Sequence, residues 1–163
     1  AMDQGPQAKE KCIGVKVKLH DAIIHVDPAH RGPAQIIPAI RRPIYAGILM
    51  AKAHLLEPKQ KIVVNVPSEY LSGVITLING RRGQVMEIEQ EGEASTVHGK
   101  LPVAEMFGLA SDMRGATQGR AAWYYEYAGY EKLPQDLQTR IIVQIRKRKG
   151  EPETVPTAKD FLE

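Results

Sequence analysis

The sequence predicts an α+β protein in two small domains, and three observations lead there. Segments with the two-residue alternation of strands are interspersed with segments of helical period along the 163 residues. Between residues 58 and 132 these segments run in the order βαββαβ, the ferredoxin-like split βαβ arrangement. A proline at position 58 separates that pattern from a shorter strand–loop–helix unit before it, giving domains 1–57 and 58–163.

Residues 1–11 are polar and read as a lead-in. From Ile13 to Ile24 the β-branched residues predict one strand or two short ones, with Val15, Val17 and Leu19 on one face and Lys16, Lys18 and His20 on the other. Next comes the stretch His25-Val26-Asp27-Pro28-Ala29-His30-Arg31-Gly32-Pro33-Ala34-Gln35. Pro28 fixes its own φ and extends Asp27, and Gly32-Pro33 adds a second bend. The stretch reads as a stiff loop tip that holds His30 outward. A helix over 38–53 follows, with Pro38 at its first position and a kink expected at Pro43.

In the second domain, Lys61 to Val66 is a strand. A helix capped by Ser68 runs to Asn79, with Gly80 at its end. Gln84–Gln90 and Thr96–Leu101 form a hairpin around Glu91-Gly92-Glu93, and a second helix covers about 102–113. Ala121–Tyr127 is the last strand, rich in aromatics. Residues 134–149 make one more helix, stopped by Gly150 and followed by a tail pinned at Phe161.

Composition excludes several classes. With 43% hydrophobic and 25% charged residues the chain is an ordinary globular one. No apolar run is long enough for a bilayer, so no membrane partner is expected. The polar N-terminus carries no secretory signal, and the single Cys12 makes no internal disulfide, so a cytoplasmic location is expected. The net charge is only +3, but arginines cluster at Arg41-Arg42, Arg81-Arg82 and Arg146-Lys147-Arg148-Lys149. A guanidinium fork suits phosphate, whereas the bland reading of such runs is a solvated helix face. No Gly-x-x-x-x-Gly-Lys-Ser/Thr phosphate loop, dinucleotide fingerprint or nucleophile elbow occurs.

Three readings compete on the residues alone. His25, Asp27 and His30 could hold a metal and make a hydrolase. Trp123 and its neighbouring tyrosines could stack on bases in a freestanding RNA-binding protein, although half of them must face the core of any strand. The His-Arg tip and basic patches fit a binding module better than an enzyme.

The tip stretch together with Ile36-Ile37-Pro38-Ala39-Ile40-Arg41 resembles the diphthamide loop of the elongation factor 2 family, the ribosomal translocases. Arg81-Arg82-Gly83-Gln84, Pro102 to Gly108, Gly119-Arg120-Ala121 and Ile145 to Gly150 resemble the last domain of the same family, in the same order. Gly32-Pro33-Ala34 is similar to the archaeal form, while Pro28 and Pro43 depart from the family's pattern. The resemblance implies that residues 1–57 are the later part of domain IV, a split βαβ domain, and that 58–163 are the ferredoxin-like domain V. It implies a fragment without the GTPase domain and so without enzymatic activity, GTP and Mg belonging to the full-length factor. It also implies His30 as the diphthamide residue, with His25, Asp27, His30, Arg31, Gly32, Arg41, Arg81 and Arg82 as ribosome- and RNA-binding positions. The implied partners are the ribosome, through rRNA of the decoding site and the GTPase-associated centre, with tRNA, mRNA and the diphthamide-synthesis enzymes. The fragment itself is expected to be a monomer.

Overall fold

The computed structural model describes residues 1–162 and is α+β throughout. It divides into two compact units, one made of Ala1–Leu55 with the chain from Leu133 onward, the other of Leu56–Lys132.

The second unit carries the expected βαββαβ order. Strands β1 (Leu56–Pro67), β2 (Gln84–Glu91), β3 (Ala94–Pro102) and β4 (Ala122–Lys132) form one sheet in the order β2-β3-β1-β4. Every pairing in it is antiparallel. Val64 is the middle of the sheet, opposite Val97 on one side and Trp123 on the other. Ile62, Val64 and Val66 alternate along β1 onto one face, where helices carrying Val74, Ile78, Leu109 and Met113 complete the core. Burying each such side chain contributes about 1.5–3 kcal/mol. Gly99 on β3 lies against the side chains of both β1 and α2. A Cβ there would lie 3.2 Å from Ile62 Cγ2 and 3.3 Å from Ile78 Cδ1. The hairpin turns at Gly92, whose φ of 61° suits a residue without a Cβ.

Several element bounds differ from expectation for local reasons. Ser68 does not cap the first helix of this unit. It opens a 3-10 turn, Ser68–Tyr70, and its hydroxyl sits 2.9 Å from that of Ser95, while α2 proper is Leu71–Gly80. The expected helix over 102–113 is instead a 3-10 turn, Val103–Glu105, and then α3, Leu109–Thr117. Gly108 separates the two because its φ of 77° breaks the helical path.

In the first unit the predicted strand over Ile13–Ile24 is absent. Its alternation is real, but a strand needs partners for its N–H and C=O groups, and none pairs with it among the described residues. Val17, Leu19 and Ile23 are accordingly 55%, 81% and 99% exposed. Helix α1 spans Pro33–Met50, so Pro33 rather than Pro38 sits at its first position, and the helix continues through Pro38 and Pro43. It buries Tyr45, Ala46 and Ile48, and the Tyr45 ring meets Phe161 edge-on at 5.3 Å, the expected anchoring of the tail.

Helix α4, Gln135–Arg148, belongs to this first unit, whereas the expected division at 57/58 put it with the sheet. Ile142 is buried there, and polar contacts add to it. Gln138 Oε1 accepts from Leu55 N at 3.0 Å, and Arg146 donates to the carbonyls of Gln7 and Pro152 at 2.9 and 2.6 Å. Lys149 Nζ reaches Lys9 O and Glu10 Oε1, both at 2.7 Å.

Candidate nucleic-acid interface

The tip is assembled from contacts that span no more than six residues. Asp27 precedes a 3-10 turn, Pro28–His30, and its Oδ1 accepts the Ala29 N–H at 2.9 Å. The backbone closes over it, with His30 N donating to Asp27 O and Arg31 N to Pro28 O, each at 3.1 Å. Asp27 N donates to Nδ1 of His25 at 3.1 Å, which makes that nitrogen an acceptor and places the proton of a neutral His25 ring on Nε2. The His25 and His30 rings lie 4.7 Å apart between centroids, tilted by 50°. His30 Nδ1 stands 3.4 Å from Asp27 Oδ2, and its side chain remains 60% exposed.

Arg31 turns back on the loop. Its Nε donates to His25 O at 2.6 Å and its Nη2 to Val26 O. Gly32, in extended conformation, then starts α1, its carbonyl accepting from Gln35 and Ile36 at 3.0 and 3.1 Å. The structure thus brings His25, Asp27, His30, Arg31 and Gly32 into one exposed loop, with Arg41 exposed farther along α1.

Arg81 and Arg82 lie in the other unit, between α2 and β2, and face protein acceptors. Arg81 Nη1 donates to the carbonyls of Glu105 and Phe107 at 2.5 and 2.8 Å, and Nη2 pairs with Asp112. Arg82 holds Glu57 through two donors at 3.0 and 3.3 Å and Glu105 through Nε at 2.8 Å. Burial alone would raise the Glu57 carboxyl, but the hydrogen bonds and charges of Arg82 and Lys59 outweigh it and hold it below the usual carboxylate range. The same two carboxylates raise Arg82 against the opposing effect of burial. These arginines staple a corner of the sheet unit. Sequence reading missed their partners Glu57, Glu105 and Asp112, because nothing local in the chain pairs residues 23–31 positions apart. The basic run on α4 divides similarly, with the Arg146 side chain 6% exposed and that of Lys147 74%.

Trp123 donates from Nε1 to the Tyr125 hydroxyl at 2.9 Å, while Tyr124 and Tyr127 are 51% and 64% exposed. Among the described residues no three His, Cys, Asp or Glu side chains are disposed to hold a metal ion. The hydrolase reading of His25, Asp27 and His30 therefore lacks its ligand set: His25 Nδ1 and Asp27 Oδ1 are turned onto backbone N–H groups. Nor is any described helix long and apolar enough to cross a membrane.

Comparison with known proteins gives a consistent result. The family model for elongation factor G, domain IV, matches residues 1–52, and that for the elongation factor G C-terminus matches 54–155. Elongation factor 2 of Methanopyrus kandleri is 56% identical over 163 residues, covering 100% of this chain and 13% of that protein. Elongation factor 2 of Methanococcoides burtonii is 50% identical, covering 99% of this chain and 22% of the relative. The chain thus spans only about a fifth or less of the relatives it matches. A crystal structure of a protein from Thermus thermophilus aligns with a TM-score of 0.55 and 34% identity, over 63% of this chain and 16% of that one. The chain belongs to the translation elongation factor G and elongation factor 2 family, of which it carries a domain IV segment followed by the C-terminal domain.

Proposed function

We propose that this chain is the ribosome-engaging end of an archaeal-type elongation factor 2, and that its tip enters the decoding site during GTP-dependent translocation of tRNA and mRNA. The observation that carries the reading is the exposed His30 side chain on a projection closed by its own polar contacts. A part that enters a narrow, phosphate-lined space must be stiff and free of bulky apolar groups, and Pro28, His30, Arg31, Gly32 and Pro33 fit that requirement, with the fixed cation supplied by the modified His30. His30 is the site of conversion to diphthamide, which makes the diphthamide-synthesis enzymes partners alongside rRNA, tRNA and mRNA. The modification extends the imidazole and adds a fixed cationic trimethylammonium group, which stabilises the RNA partners while the decoding site is unlocked. Arg41, exposed on α1, is a second RNA-facing position. GTP binding and hydrolysis belong to a domain outside this chain, and the factor works in the cytoplasm.

Two experiments test this. Tandem mass spectrometry of the tryptic peptide Leu19–Arg31 from the native factor should place the mass of diphthamide on His30 rather than on His20 or His25. In the full-length factor, His30→Ala should slow translocation and raise frameshifting. Unchanged values for both would overturn the proposed role of the tip.

A further inference from the structure

We propose that Arg31 is a positioning residue for His30 and not a phosphate contact; the proposal rests on the reading that His30 is the working residue of the tip. An arginine beside such a histidine, on a surface taken to meet RNA, is naturally read as a cation for phosphate. Its geometry points elsewhere. The guanidinium folds back onto the loop's own backbone, with Nε 2.6 Å from His25 O and Nη2 on Val26 O, the two carbonyls that precede the turn. A planar fork can hold two successive carbonyls at once, and charge-assisted bonds of this kind are the stronger ones. The clamp ties the end of the turn to its beginning, across six and five residues.

Two features of His30 depend on that closure. Its ring lies 4.7 Å from that of His25, the residue whose carbonyl the clamp holds. Its Nδ1 faces Asp27 Oδ2 at 3.4 Å only while the 3-10 turn is kept. Nothing in this part of the loop is buried, so no core packing substitutes for the clamp. A lysine would keep the charge and lose the fork, because an ammonium is a single point on a flexible stem. Arg31→Lys and Arg31→Gln therefore separate position from charge.

Both variants are made in the full-length factor, unmodified and labelled at histidine. The ring signals of His25 and His30 are recorded off the ribosome, and ribosome affinity and translocation are measured over a range of salt. A positioning role requires that Arg31→Lys and Arg31→Gln move the His30 signal alike and both lower translocation turnover, on the order of tenfold. The KM for ribosomes and the salt slope then stay close to those of the parent. The proposal is overturned if Arg31→Lys keeps the parent's signal and turnover while Arg31→Gln weakens ribosome binding and flattens the slope of log affinity against log salt by about 1. If the signals move in both variants but neither they nor His30→Ala alter translocation, the positioning stands and the translocation role of the tip is what fails.

Discussion

The tip and the sheet unit are held together by opposite kinds of contact. Residues 25–31 hold their shape with hydrogen bonds between near neighbours and bury nothing. Residues 56–132 hold theirs by burying Ile62, Val64, Ile78, Val97, Leu101, Leu109 and Met113, which come together from segments far apart in the chain. The lesson is that a loop can be given a defined turn without a core, where prolines and short polar contacts restrict it locally. Such a loop can carry substitutions that alter function and leave the fold alone, whereas the sheet unit cannot.

The largest effect that would sharpen this contrast is in the core. Leu101→Ala, at a fully buried position, should cost about 2–5 kcal/mol. The chain's single tryptophan, Trp123, sits on β4, so its fluorescence in urea reports the sheet unit directly. A loss well under that range would mean that the core is not what holds this unit.

Next in size is the Arg82 staple. Arg82→Met should cost about 2 kcal/mol, because Glu57 is left buried with fewer partners. The pH dependence follows from Glu57, whose carboxyl is held low in the folded state. Its contribution is present above the ordinary glutamate pKa of about 4.3 and is lost as pH falls through the depressed value. The parent should therefore lose urea stability on acidification below that point more steeply than Arg82→Met; equal acid limbs would show that the pair contributes nothing.

Gly99→Ala should cost about 1 kcal/mol, since the added methyl must displace Ile62 and Ile78 by a few tenths of an ångström. Smallest of all is Asp27→Ala, which should leave the Trp123 midpoint within about 0.5 kcal/mol of the parent. It should nevertheless speed amide exchange at Ala29, whose N–H loses its carboxylate acceptor. A large drop in global stability from Asp27→Ala would break the contrast between the two regions.

The legible parts of the fold are those whose cause is local. The βαββαβ order could be read because strand alternation, helical period and Gly-Pro punctuation are each set within a few residues. The tip was legible for the same reason, since Asp27-Pro28 and Gly32-Pro33 dictate their own turns. The misread segments are those in which something outside the local pattern intervenes. Ile13–Ile24 alternates like a strand and pairs with nothing among the described residues. Ser68 looked like a cap and is engaged instead with Ser95, 27 residues away. Residues 102–113 have helical composition, yet Gly108 in the left-handed region divides them.

The βαββαβ order of the sheet unit and the turns on either side of His30 follow from the sequence by itself, because adjacent residues generate them. Which cations are free was decided only by tertiary structure. Arg81, Arg82, Arg146 and Lys149 carry the same charge as the exposed Arg41, but the fold brings acceptors to them, most from 23 to 141 residues away. A charge run records how many cations a segment has, and only the folded arrangement of carbonyls and carboxylates determines which of them remain for a partner.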